Sequence, residues 1–302
     1  MSDSKITVVI PHLNQHDMLA RCLASLQDGT RQADEVIVVD NGSAEMPHAV
    51  CDTYGATLLR EETPGPGPAR NFGVANSSND ILAFIDADCL ADPLWLEAAH
   101  DAMSDPAAQI LGGDVRIALV DPARITVLEA YESIYAYRMD KYIAKEGFTG
   151  TGNLVVRRPV LEAVGPFAGL SVAEDKDWGQ RATAMGYEIR YVAGMKAYHP
   201  ARETFSQLRA KWDRHIAHEF VERRGGLRSK VIWLAKTGAL LVSPLAEIPK
   251  ILFSDRIAGA GSGIKAWIGL VAIRSYRAGV MAKLSLTRDP GALSGRWNRP
   301  KA

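Results

Sequence analysis
The chain of 302 residues has little cysteine, no net charge and no long hydrophobic run, and each shortage removes a class of protein. Its three cysteines, Cys22, Cys51 and Cys89, show no Cys-x-x-Cys spacing, which argues against a disulfide framework or a zinc site and favours a reducing compartment. The longest uncharged run in the apolar stretch after Val231, Thr237 to Ala246, is ten residues and contains Pro244, short of the ~18 expected of a membrane-crossing helix. The opening residues MSDSKITVVIP lack the basic region, apolar stretch and cleavage site of an export signal, so a cytoplasmic location is expected. The net charge of +0 is only a sum. Residues 1–202 hold 17 Lys and Arg against 28 Asp and Glu, whereas residues 203–302 hold 18 against 7. The acidic body argues against a nucleic-acid partner. The basic end, interleaved with apolar residues, suits either an anionic membrane surface or a solvated basic face.

What is present is a 47% hydrophobic composition, enough to bury a full core, and a first half that alternates strand and helix. Strand patterns at Ile6 to Ile10, Glu35 to Val39, Thr57 to Leu59 and Ile81 to Ile85 are separated by helical spacing at Asp17 to Leu26 and Ala69 to Ala75. This order predicts a mostly parallel sheet flanked by helices, with ligands outside the carboxyl ends of the strands. Further on, the pattern predicts a helix at Pro93 to Met103, a strand near Leu111 to Ile117, one helix through Ile125 to Ile143, and a strand at Leu154 to Arg157. A helix beginning near Asp175 and a strand at Glu188 to Ala193 complete an α/β domain over residues 1–202.

Three segments end in acid where a strand should run out: VIVVDNGS, ILAFIDAD and VAEDKDW. In Asp86-Ala87-Asp88 the period of an extended chain puts both carboxylates on one side, a geometry suited to Mg²⁺ or Mn²⁺; a helix N-cap is the alternative. Asp40 ends the preceding strand before an Asn41-Gly42-Ser43 turn, which its side chain could cap. The loop Gly65-Pro66-Gly67-Pro68-Ala69-Arg70 has Arg70 where a dinucleotide fingerprint needs its third glycine, and its prolines remove two N–H donors. Pro68 can instead open a helix that carries Arg70 in its first turn, within reach of a diphosphate.

The series VVIPHLN, VIVVDNGS, GPGPARNFG, AFIDADC, GTGNLVVRR and EDKDWGQRATAMGYEIRYV, in this order over about residues 5–200, resembles the family 2 glycosyltransferases of the GT-A fold. The resemblance implies a Rossmann-like GT-A domain and a metal-dependent, inverting transfer from a nucleotide-diphosphate sugar, UDP-linked, to a glycan or lipid-linked acceptor. It implies that Asp88 meets Mn²⁺ or Mg²⁺ most directly, with Asp86 on the ribose or metal waters and His199 as a further ligand. Pro11, His12, Asn14, Asp40 and Arg70 would line the nucleotide, and Gly150, Thr151, Gly152 and Asn153 the donor sugar and acceptor. Asp175 would take the acceptor's proton, supported by Glu174. The Gln-x-x-Arg-Trp motif of processive synthases is absent, which favours a single addition. Two rivals remain. A sugar-1-phosphate nucleotidyltransferase should carry a glycine-rich loop after its first strand, yet Pro11 to Met18 has no glycine. A non-catalytic nucleotide-sugar binding module would lack the base.

Residues 203–302 read as a helical extension. Phe205, Leu208, Trp212, Ile216 and Phe220 recur at helical spacing among Arg209, Lys211, Arg214, Arg223 and Arg224, as in a basic amphipathic helix. Two apolar stretches follow, in which Lys236, Lys250, Lys265, Arg274 and Arg277 are candidates to reach anionic headgroups. Peripheral attachment to the inner face of the cytoplasmic membrane is the expectation; a helical subdomain packed on the core or on a second subunit is the alternative.

Overall fold
The computed structural model describes residues 5–170, 172–222 and 225–287, which divide into two compact units. One takes the residues up to 118 together with 137–200; the other takes 119–136 together with 201 onward. The first begins with β1 (Ile6–His12), α1 (His16–Gln27), β2 (Glu35–Asp40), α2 (His48–Tyr54), β3 (Thr57–Arg60) and α3 (Pro66–Ala75). It continues through β4 (Ile81–Ile85), β5 (Leu90–Ala91), α4 (Trp95–Met103) and β6 (Ile110–Ala118). After the segment of the second unit that holds α5 (Val127–Tyr135), it resumes with α6 (Met139–Glu146), β7 (Asn153–Arg157), α7 (Arg158–Val164), α8 (Glu174–Ala184) and β8 (Ile189–Pro200).

The strands form one sheet in the order β3-β2-β1-β4-β7-β6-β8-β5. β1 runs parallel to β2 and β4, β2 to β3, and β6 to β8, while β7 is antiparallel to its neighbours and β5 to β8. Alternation along β4 shows why the sheet is buried on both faces: Ile81, Ala83 and Ile85 enter one core, Leu82 and Phe84 the other. Polar groups can therefore leave such strands only at their ends. β1 and β2 pair His12 with Asp40 in register, and Asp86 follows β4 directly, so all three emerge at the same edge of the sheet.

Two expectations are corrected. The single helix through Ile125 to Ile143 is two helices in different units, because Thr126 and Glu129 form a capping box that starts α5 and Ala136 leaves the helical region. Tyr137 then adopts φ 49°, and α6 starts at Met139. The strand expected to end near Ala193 runs on to Pro200: an irregularity at Gly113/Asp114 moves the register from Val192 to Lys196, and pairing then resumes along β6. His199 thus stands within β8, opposite Ile117.

The second unit also contains α9 (Phe205–Glu222), α10 (Leu227–Ala246), α11 (Ile248–Leu252) and α12 (Ala260–Thr287). The apolar stripe of α9 enters the unit's own cores, Leu208 beside Leu128 and Ile273, and Ile216 beside Trp233 and Met281. The basic residues of the later stretches are also engaged internally. Lys236 pairs with Glu219, Arg274 and Lys250 with Glu247, Lys265 donates to the Ile125 carbonyl, and Arg277 lies 3.6 Å over the Trp212 ring. These five are thus engaged within the unit. Arg223 and Arg224 lie outside the described residues. Among the described residues no helix is long and apolar enough to cross a membrane.

Candidate active site
The acids after β4 and at the start of α8 are joined by one guanidinium. Gly65 (φ 124°) turns the chain into α3, whose first position is Pro66, and the helix carries Arg70 inward until it is 2% exposed. Gly67 and Gly73 let α3 settle: a Cβ on either would stand 2.0 Å from the Ala168 carbonyl oxygen or 2.5 Å from Val9. Arg70 Nη2 donates to Asp86 Oδ1 at 2.5 Å and Nη1 to Glu174 Oε1 at 3.0 Å, while its buried Nε has no hydrogen-bond partner. Two motifs far apart in sequence thus share one buried cation, a connection that the spacing of Arg70 alone did not disclose.

Asp88 and His199 form the second part of the site. His199 Nε2 lies 3.6 Å from Asp88 Oδ2, and Nδ1 donates to the Pro200 carbonyl at 2.7 Å. The Pro200 carbonyl can only accept, so Nδ1 carries a proton and Nε2 is the ring atom on the side of the acids. The Tyr137 ring lies tilted 4.6 Å from that of His199, with its hydroxyl 3.1 Å from Nε2. Tyr137 was missed in the sequence; its left-handed backbone is a signal visible only in three dimensions. Burial pushes the Asp88 carboxyl up, and the neighbouring charge of Asp86 adds to this against the pull of His199.

Oxygens of Asp86 and Asp88 and the Cys89 sulfur lie within 4.8 Å of one another. Burial, followed by the charges of Asp86 and Asp88, pushes the Cys89 thiol well up. The two partly exposed carboxylates, with His199 Nε2 3.6 Å from Asp88, are donors that suit a hard divalent cation. Gly152 closes over this pair, for a Cβ there would stand 2.5 Å from Asp86 Oδ2. Gly150 sits on Met139, and Thr151 is buried. Asn153 is turned into the core: its amide nitrogen donates to the carbonyls of Asp114 and Met195, and its oxygen accepts from the Trp95 indole.

Asp175 occupies the first turn of α8 beside Glu174, where its Oδ1 accepts from the Lys176 amide. Burial raises its carboxyl pKa, and the charge of Glu174 raises it further, while Lys176 and the Arg70 charge act in the opposite direction. Asp177 is instead held by Arg181 one turn on, at 3.0 Å.

Asp40 is completely buried at the end of β2. Its Oδ1 accepts from His12 Nδ1 at 2.9 Å, and Oδ2 caps the turn through the Gly42 and Ser43 amides. Because the Gln15 amide donates to His12 Nε2, the imidazole proton is on Nδ1. Burial lowers the His12 pKa against the pull of Asp40; burial would raise that of Asp40, but its bonds from Ser43 and His12 bring it below the usual range. Beside half-buried Pro11 and this pair, Asn14, with φ 54°, ties the β1 exit to the turn after β2: its amide donates to Ser43 Oγ and its Oδ1 accepts from the Ala44 amide.

Residues 7–165 match the family model for glycosyl transferase family 2. Glycosyltransferase AglE of Haloferax volcanii is 34% identical over 215 residues, which cover 68% of this chain and 70% of that protein. The solved mannosyltransferase PcManGT from Pyrobaculum calidifontis, in complex with GDP-Man and Mn²⁺, superposes with a TM-score of 0.60 at 16% identity, over 96% of this chain and 89% of the other. Glucosyl-3-phosphoglycerate synthase from Mycobacterium tuberculosis, in complex with Mn²⁺, UDP and glucosyl-3-phosphoglycerate, gives 0.51 at 23% identity, over 68% and 75%. With the motifs in order, the sheet of the GT-A fold and this extent of similarity, the chain belongs to the family 2 glycosyltransferases.

Proposed function
We propose that the chain transfers a sugar, with inversion at the anomeric carbon, from a nucleotide-diphosphate donor to a hydroxyl of a glycan or lipid-linked acceptor. The observation that carries this reading is the shared Arg70: it ties the acid pair after β4 to Glu174, so that the raised-pKa carboxyl of Asp175 stands beside a cation-ready cluster. A carboxyl held upward in pKa is the better proton acceptor when ionised at neutral pH.

In this reading Asp175 takes the proton of the acceptor hydroxyl as that oxygen bonds to the anomeric carbon and the bond to the diphosphate breaks. Glu174, fixed by Arg70, positions the turn that carries Asp175. Asp86 and Asp88 would hold Mn²⁺ or Mg²⁺, with His199 Nε2, 3.6 Å from Asp88, as a further donor. Such an ion, when bound, neutralises charge on the departing diphosphate. The His12–Asp40 pair and Asn14 shape the nucleotide end by fixing the two loops that leave β1 and β2.

UDP is the preferred donor nucleotide in this proposal, supported by the UDP in the synthase complex; the mannosyltransferase complex contains GDP-Man, which makes guanine the competing base. Thermal stabilisation by a panel of nucleotide sugars, with and without Mn²⁺, tests the reading. Metal-dependent stabilisation by a uridine donor and release of UDP on turnover are expected. Stabilisation by no nucleotide sugar in the presence of Mn²⁺ would sink it.

A further inference from the structure
The second unit exposes an apolar face that its internal packing leaves uncovered. α10 buries Trp233 and Leu240, yet Leu227, Val231, Leu234, Leu241, Val242 and Leu245 are all exposed. At ~100° per residue these six fall within an arc of about 100° along a helix about 30 Å long. Leu252 (70% exposed) and Phe253 (87%) are also bare on and just after α11, as are Ile264 and Ile268 on α12. Between α11 and α12 lies an apolar groove of about 510 Å³, lined by Ile248, Leu252, Ile257, Ile264 and Trp267 among others. Isolated exposed leucines need no explanation, but a stripe of six along one helix marks an interaction site.

Charge selects the occupant. Residues 225–287 contain nine Lys and Arg against two acids, Glu247 and Asp255, and Glu247 is already held by Arg274 and Lys250. Arg228 and Lys230, both exposed, stand on either flank of the stripe at the first turn of α10. The same face of a second copy would bring like charge against it, since residues 203–302 carry 18 basic against 7 acidic side chains. An anionic lipid surface meets both features, taking the apolar side chains below the headgroups and the flanking cations among them.

We infer that the face running from Leu227 through Phe253 to Ile268 docks in the plane of an anionic bilayer, with Arg228 and Lys230 at its headgroups. The docking helices are α10 to α12, not α9, whose apolar stripe is consumed inside the unit. This inference is independent of the transfer reaction, since its readout is vesicle binding.

Flotation of the full chain with phosphatidylcholine vesicles, with and without about one-third phosphatidylglycerol, at low and high salt, tests it. The wild type should float with the anionic vesicles and several-fold less with neutral ones. The double variant Leu241→Asp/Leu245→Asp should lose about tenfold or more of that binding with its melting temperature unchanged. Arg228→Glu/Lys230→Glu should weaken binding at low salt more than at high salt. Should the double aspartate variant lose its melting transition, Phe253→Asp, at an 87% exposed position, decides the same question. Failure of the wild type to float, equal flotation with neutral vesicles, or full binding by the folded aspartate variants would overturn the inference. So would a solution dimer that Leu241→Asp/Leu245→Asp converts to monomer, which would give the face to a second copy.

Discussion

Replacing Arg70 by methionine keeps an apolar stem in the helix and removes the guanidinium with its charge, so it tests the role of the cation. Arg70 makes two charge-assisted hydrogen bonds, at 2.5 Å to Asp86 and 3.0 Å to Glu174. Each such bond contributes about 1.5–3 kcal/mol, and the lower end applies because both carboxylates are partly open to water. Removing the guanidinium also removes its unpartnered Nε and the cost of burying the ion, which offsets part of the loss. A net destabilisation of about 2–3 kcal/mol follows, or roughly 4–10 °C in melting temperature for a chain of this size. The activity profile gives the sharper readout. The Arg70 charge lowers the Asp175 pKa, so without it that carboxyl rises further and the acid limb of kcat should move to higher pH. Mn²⁺ binding in the absence of nucleotide should tighten, because a competing cation has left the carboxylate pair. A variant that melts within about 1 °C of the wild type and keeps its pH profile and metal affinity would refute the bridging role.

Gly152→Ala should leave the fold intact but push the Asp86 carboxylate aside, since the new methyl would stand 2.5 Å from its Oδ2; calorimetric Mn²⁺ affinity should fall about tenfold or more. Asp175→Asn should reduce turnover by about 10²–10⁴ while donor binding persists, as measured by UDP release and nucleotide-sugar titration. It should also stabilise the protein at neutral pH. The native Asp175 pKa is raised, so the folded state holds a proton that the unfolded state has lost, and wild-type stability falls as pH rises from the ordinary carboxyl range through the raised value. The asparagine variant escapes that penalty, and the gap in melting temperature should close in acid. His12 works in the other direction. Its pKa is lowered on folding, so its contribution is complete above about pH 6.5 and is lost as pH falls toward the native value. His12→Gln should flatten that part of the melting profile, and an unchanged slope would remove His12 as its cause.

Most of the fold was legible because the signals that specify it are local. The run Ile81 to Ile85 has nowhere to lie but a sheet covered on both faces, and the strand end before Asp86 follows from that. The break at Ala136 and Tyr137 was illegible because nothing in the apolar spacing changes there; the helices part because the two segments pack into different units. The length of β8 was hidden by the irregularity opposite Gly113, where Ala193 to Met195 step out of register with β6. In the site, Asp86, Asp88, Glu174 and Asp175 were legible as residues with chemistry. Their wiring through Arg70, and the contact of Tyr137 with His199, depend on contacts between distant segments and left no trace in spacing.

The motif residues also separate by what the fold has done with their polar atoms. Asp40, His12 and Asn153 are buried, and their polar atoms bond within the fold. Asp86, Asp88, Glu174 and Asp175 remain partly open, and the buried guanidinium of Arg70 is bonded to two of this group. Gathering these carboxylates opposes folding: burial raises the pKa of Asp88 and of Asp175, and the neighbouring charges of Asp86 and Glu174 add to it. Stability alone would select against it, for a protein gains by pairing or neutralising buried acids. Its persistence where three chain segments converge is explained if positive charge arrives with the ligand: a divalent ion at the pair after β4, and a proton at Asp175. In the proposed reading, the arrangement that opposes folding then becomes the source of affinity for the ligand.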